Sequence, residues 1–238
     1  MPTAAPVPII QITGVRKQFG GLRPLRINAL SVSAGDRMTL HGLDAENAEM
    51  LTLLITGASL PDEGTVAIAG RDTRNIQTDT EWLTSLDLFG MVTTRAALMD
   101  SVSLEGNMAL PFTLSIEPLL PEVREAVASL AAEVGLPAAL LPAPVGNLGD
   151  ADRARVHLAR ALSMKPQLLL LEHPTARLPP DDAAAFGRLL SSIGNRRGLG
   201  WLAISEDEAF STEAGGTRCR LAPASGEISA VRRGWRLW

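Results

Sequence analysis

Apolar positions along this chain switch between two periods, and the switch points mark its elements. Near the start, "PIIQITGV" and "LRINALSV" are rich in β-branched and apolar residues and read as strands, the second followed by the turn "SAGD". "RMTLHG" reads as a short buried strand ending in glycine. From Ala48 to Thr56 the period changes: Leu51, Leu54 and Ile55 fall on one helical face, so the spacing predicts a helix there. "SLPDEG" breaks that helix, and "TVAIAG" returns to a strand.

Helical periodicity dominates from about Thr94 to Ser163. In "PEVREAVASLAAEVG", Val123, Val127, Leu130 and Val134 share a face, and Gly135 can end the helix. After the proline- and glycine-punctuated loop "LPAALLPAPVGNLG", "ADRARVHLARALSMK" reads as a helix stopped by Pro166. "QLLLLE" is a continuous apolar run, the mark of a central parallel strand buried on both faces. "PPDDAAAFGRLLSSIG" opens with Pro180 and two aspartates, which suit the exposed amides and the positive dipole of a helix start. Phe186, Leu189, Leu190 and Ile193 form its apolar stripe. "GWLAIS" predicts another strand, and "TRCRLAP" with "GEISAV" a closing hairpin.

Composition narrows the class. The 238 residues are 46% hydrophobic and 20% charged, which supplies a core and argues against disorder. A formal net charge of -4 argues against a basic nucleic-acid surface, so no nucleic-acid partner is expected. Lys17 and Lys165 are the only lysines, and nearly all positive charge is arginine. A single cysteine, Cys219, cannot make an internal disulfide and fits a reducing compartment. The first residues lack the basic region of a secretion signal, and the longest apolar runs are too short to span a bilayer.

The order of pieces resembles the ATP-binding subunits of ABC transporters over roughly residues 9–228. Gly42 sits where a Walker A loop has its first glycine, and "LFGMV" precedes the Q-loop position. "NLGDADRARVHLARAL" looks like the signature segment and its helix, "PQLLLLEHPT" like the Walker B strand, and "WLAISED" like the switch-histidine strand. The resemblance implies one α/β domain over residues 1–238 with a P-loop NTPase-like fold. It implies a mostly parallel core sheet, N-terminal antiparallel strands, and an inserted helical subdomain at 94–163. It also implies dimerisation with itself or another such subunit. An integral-membrane permease is the implied partner, with the chain at the cytoplasmic face of the membrane. In the family a permease helix enters the groove beside the helical subdomain. The candidate wall here is Thr93–Phe112, with Leu98, Met99, Val102, Leu104, Met108 and Phe112. The bland alternative is an ordinary amphipathic core segment.

The chemical positions depart from the family pattern. A working Walker A loop reads G-x-x-x-x-G-K-[ST], where glycine lets the amides curl inward, lysine meets the terminal phosphates and the hydroxyl touches magnesium. Here Gly42 matches, while Asn47, Ala48 and Glu49 take the later glycine, lysine and hydroxyl positions, with Met50 following. Asn47 is a candidate helix cap, and Glu49 brings a carboxylate to the helix start. The signature falls on Leu148, Gly149, Asp150, Ala151 and Asp152, of which Leu148 matches. In Walker B, Glu172 stands for the magnesium-linked aspartate and His173 for the catalytic glutamate. Thr94 takes the Q-loop glutamine, Pro179 the D-loop aspartate and Glu206 the switch histidine, with Asp207 after it retained. Phe19 matches a tolerant adenine-stacking position.

Other chemistry has little support. Arg153, Arg155 and Arg160 fit a solvated face or local pairing with Asp150 and Asp152 better than a phosphate site. Glu172 and His173 are adjacent at a strand end, where side chains point apart, and no HxH or CxxC group stands near. No metal and no bound cofactor are expected. His41 and His157 read as packed histidines, and no nucleophile–histidine–acid order has supporting context. The leading expectation is a non-hydrolysing structural or regulatory subunit of a membrane transporter. The alternative is a divergent ATP-binding subunit with weak ATPase activity. A binding module outside transport is permitted but has no positive feature.

Overall fold

The computed structural model describes residues 7–20, 23–93 and 95–231. Its first half contains β1 (Ile10–Lys17), β2 (Leu25–Val32), β3 (Arg37–His41), α1 (Ala45–Ile55), β4 (Glu63–Ile68), β5 (Arg71–Asp72), α2 (Asp79–Leu86) and β6 (Phe89–Val92). Three helices follow, α3 (Leu104–Ala109), α4 (Pro121–Glu133) and α5 (Asp150–Leu162). The chain then alternates through β7 (Leu168–Glu172), α6 (Pro180–Arg197), β8 (Gly200–Ile204) and α7 (Glu208–Ala214), and closes on the hairpin β9 (Thr217–Ala222) and β10 (Glu227–Ala230).

Two sheets result. One is antiparallel, in the order β2-β1-β4-β5. The other runs β10-β9-β3-β8-β7-β6 and is parallel except for β10. The α/β reading, with a mostly parallel sheet and antiparallel N-terminal strands, describes this architecture. The physical reason for the apolar run in β7 is now visible. Leu168 and Leu170 pack with α1 and the antiparallel sheet, while Leu169 and Leu171 pack with α5 and α6 on the other face. A strand buried on both faces has no polar side to show.

Helix α1 lies between the sheets. Leu51, Leu54 and Ile55 are buried with Ile10, Ile27 and Val66 on one side and Leu168 and Ile204 on the other. The sheet edges also meet: Asn28 N–H donates to Gly226 O at 2.8 Å. One boundary differs from expectation. Helix α1 begins at Ala45, not Ala48, because Asp44 caps it. Among the described residues no helix is long and apolar enough to cross a membrane.

Candidate functional site

The turn from β3 into α1 is built on Gly42. Its φ is +93°, and a Cβ there would lie 2.2 Å from Leu221 O, so only glycine fits. Its N–H donates to the carboxylate of Glu206. Two residues on, Asp44 Oδ1 accepts from Asn47 N–H and from Asn47 Nδ2, both at 2.8 Å. Ala48 N–H donates to Asp44 O at 2.9 Å, an ordinary first-turn helix bond. The expected cap, Asn47, is therefore already inside the helix. A short aspartate in extended backbone three residues earlier reaches the free amides first. Ala48 is fully buried, facing the core beneath α1. Met50 packs at the edge of the same core.

Glu49, one step along the helix, points outward and meets Arg95, with Nη1 3.2 Å from Oε2. The same guanidinium donates to both oxygens of Glu172, each at 2.9 Å. Glu172 ends β7 and its side chain is only 5% exposed. A buried carboxylate needs a hydrogen-bonded cation, and the planar fork of arginine supplies one bidentately. One guanidinium thus joins the start of α1, the end of β7 and the segment after β6. Thr94 lies outside the described residues.

His173 follows Glu172 with a φ of +43°, strained for a residue with a Cβ. Its N–H still donates to Ile204 O at 2.8 Å, while its Nε2 is buried without a hydrogen-bond partner. The ring lines a cleft of about 90 Å³ with Asp150, Arg153, His157 and Arg177. Burial is the main cause that pushes His157 down to about 4, helped by Arg160, Arg153 and Arg177, so this imidazole is neutral near pH 7. Burial likewise lowers His41, which sits just before Gly42 with neither ring nitrogen partnered. Among the described residues no group of three His, Cys, Asp or Glu is placed to hold a metal.

Glu206, at the mouth of the turn, also pairs with Arg220 at 3.6 Å. Asp207 caps α7 through Phe210 N–H at 3.0 Å and accepts from Thr175 Oγ1 at 2.8 Å. Pro179 precedes α6 and makes no side-chain cap, while Asp181 and Asp182 lie in the first turn.

In the segment 148–152, Leu148 packs on the core, Gly149 precedes α5, and Asp150, Ala151 and Asp152 form its first turn. Local pairing holds for Arg155, which donates to Asp152 at 2.8 Å. It does not hold for the other two arginines. Arg153 pairs with Asp100 and donates to Val145 O, and Arg160 donates to Ala97 O at 3.1 Å. Phe19 lines an open cleft of about 330 Å³ with Arg23, Arg26 and the turn from Gly42 to Asn47. In the wall Thr93–Phe112, Leu104 and Met108 are buried in the core, whereas Met99 and Phe112 are exposed. The first pair follows the amphipathic-core alternative.

Arg95 was not singled out from the sequence. Its partners lie far along the chain, and only its place as the one charge in "MVTTRAALM" marks it.

The family model described as ABC transporter matches residues 26–176. The methionine import ATP-binding protein MetN of Brucella abortus (strain 2308) is 28% identical over 206 residues, 87% of this chain and 55% of that protein. The lipoprotein-releasing system ATP-binding protein LolD of Anaeromyxobacter dehalogenans (strain 2CP-C) is 29% identical over 204 residues, 84% of this chain and 85% of that protein. The chain spans about half the length of the MetN relatives. Among solved structures, cbiO1 from Clostridium perfringens superposes with a TM-score of 0.77 at 18% identity, over 95% of this chain and 88% of that one. A bacterial ABC transporter cassette solved as a dimer superposes with a TM-score of 0.75 at 19% identity, over 94% of this chain and 100% of that one. At these identities the superpositions speak for the fold. With the family model matching more than half of the residues, the chain belongs to the family of ABC transporter ATP-binding domains.

Proposed function

We propose that this chain is a non-hydrolysing, ABC-ATPase-like subunit that serves a membrane transporter as a structural or regulatory part. The observation that carries the reading is where the amides of the β3–α1 turn go. A phosphate-binding loop keeps such N–H groups free and aimed inward. Here Gly42 N–H is taken by Glu206, Asn47 N–H by Asp44 Oδ1, and Ala48 N–H by Asp44 O. Two carboxylates thus stand where an anion would have to enter, and like charge opposes a triphosphate most where water is excluded. The Mg–nucleotide of the family does not fit these residues. No lysine reaches the turn from Ala48, no hydroxyl stands at Glu49, and Arg95 fills the corner between Glu49 and Glu172.

His173 in place of a catalytic carboxylate, Glu206 in place of a histidine and the aspartates at Asp150 and Asp152 agree with this reading. On it, both contributions to a composite site, Walker and signature, are degenerate, so a partner subunit restores neither. We read 94–163 as an inserted helical subdomain, with Met99 and Phe112 as exposed contacts for an integral-membrane permease. The chain then sits at the cytoplasmic face of the membrane, paired with itself or a related subunit.

One observation favours the second reading, a divergent ATP-binding subunit with weak activity. The cleft beside Phe19 has room for part of a nucleotide, and Arg23 and Arg26 line it. Phosphate release in ATP and magnesium separates the two. The expected result is background release. Turnover near ~1 s⁻¹ that is lost in Glu172→Gln would contradict the first reading. Affinity purification from membranes tests the partner: co-elution with a permease, weakened by M99E and F112E, is expected, and a lone monomer counts against it.

A further inference from the structure

We infer that Arg95 is a resident cation: its guanidinium takes the corner that a divalent ion takes in a hydrolysing P-loop protein, and it pins the segment after β6 without any ligand. The inference rests on the non-hydrolysing reading and deepens it, because it names what holds this site in place of metal and nucleotide.

In P-loop proteins the ion sits between the hydroxyl at the start of the loop helix and the acid at the end of a neighbouring strand. The residues at those two places here are Glu49 and Glu172. Both are carboxylates, and both converge on Arg95, at 3.2 Å and at 2.9 Å. Two carboxylates facing one point repel unless a cation lies between them. A metal ion can serve only when supplied from solution. A guanidinium carried by the chain is always present and always charged, and its fork matches a carboxylate bidentately. Glu172 is almost wholly buried, so its partner is not optional: without one, the charge is stranded away from water.

Arg95 also begins a segment tied down along its length. Ala97 O accepts from Arg160, and the Asp100 carboxylate pairs with Arg153. Asp100 O accepts from Gly146 N–H at 2.9 Å. Asn107 Oδ1 accepts from Met99 N–H at 2.8 Å, and its Nδ2 donates to Met99 O at 3.0 Å. These ties join the segment to α5, to the short helical turn Val145–Asn147 and to α3. Arg95 alone among them joins it to α1 and β7. All are made by the chain itself. Core packing of α5 against β6 and β7 seats the helical region on the parallel sheet, and Arg95 adds the tie that fixes the segment after β6 to α1 and β7 without a ligand.

The test uses the full chain and its variants Arg95→Ala, Arg95→Lys and Arg95→Ala with Glu49→Gln. Bound Mn²⁺ is followed by electron paramagnetic resonance, and amide exchange over 95–103 by mass spectrometry, with and without Mg-ATP. Wild type is expected to bind no Mn²⁺ in the millimolar range and to show the same exchange with and without Mg-ATP. Arg95→Ala is expected to gain one Mn²⁺ site that disappears with Glu49→Gln, and to exchange at least tenfold faster over 95–100. Arg95→Lys guards against failure of the alanine variant to fold. It keeps the charge and loses the fork, so it should bind no Mn²⁺ and exchange several-fold faster. Mn²⁺ binding by wild type, or no Mn²⁺ site in a folded Arg95→Ala, overturns the resident cation. Unchanged exchange in both substitutions, or slowing of wild-type exchange by Mg-ATP, overturns the pin. ATP turnover would instead overturn the non-hydrolysing reading, and the exchange and Mn²⁺ data would still decide the role of Arg95.

Discussion

Ala48 faces the core beneath α1, and that orientation decides what a repair of the loop can achieve. A lysine placed there enters the apolar layer formed with Leu51 and Leu54. It meets no phosphate. Burying an unpaired ammonium group is costly, so Ala48→Lys should lower stability by roughly 3 kcal/mol or more, read from urea midpoints. No gain in nucleotide affinity should accompany the loss. His157 gives a second residue-scale prediction. Its folded pKa is about 4, against an ordinary value of 6.5, so the native state binds fewer protons between those two values. Stability from this group is complete above pH 6.5 and is lost as pH falls toward 4. The total is on the order of 3 kcal/mol. His157→Gln removes that component. Between pH 7 and 4.5 the urea midpoint of wild type should therefore fall further than that of the variant, and parallel falls would refute the assignment.

Helix α1 owes its first turn to Asp44, so the cap can be tested as a unit. Asp44→Ala should cost about 1 kcal/mol, seen as a lower thermal midpoint, and Asn47→Ala distinctly less. Equal losses would return the cap to Asn47. This helix also marks the limit of reading elements from sequence. Its apolar stripe was legible, because Leu51, Leu54 and Ile55 keep helical spacing whatever lies before them. Its start was not, because Asp44 and Asn47 are both good caps and only the path out of Gly42 selects between them. The same division runs through the other elements. The run Leu168–Leu171 and the stripe of α6 could be read because burial dictates them residue by residue. The pairing of β1 with both β2 and β4, and the edge placement of β10, depend on contacts distant in the chain. The triad Glu49–Arg95–Glu172 was illegible for that reason: charge pairs across elements leave no period in a sequence.

At the scale of the whole molecule, α1 and its turn are where the antiparallel and parallel sheets share a core. Asp44, Glu206 and Arg95 complete that junction from within. The domain should therefore keep the shape of an ABC cassette while needing neither nucleotide nor metal to hold it. Isothermal titration of ATP with magnesium into the purified chain tests that claim most directly. Wild type should show no affinity tighter than about 1 mM. The loop variant carrying Asn47→Gly, Ala48→Lys and Glu49→Ser should not recover tight binding while Asp44 and Glu206 still occupy the amides. Saturable micromolar binding by wild type, weakened by Phe19→Ala, would contradict the account at its centre.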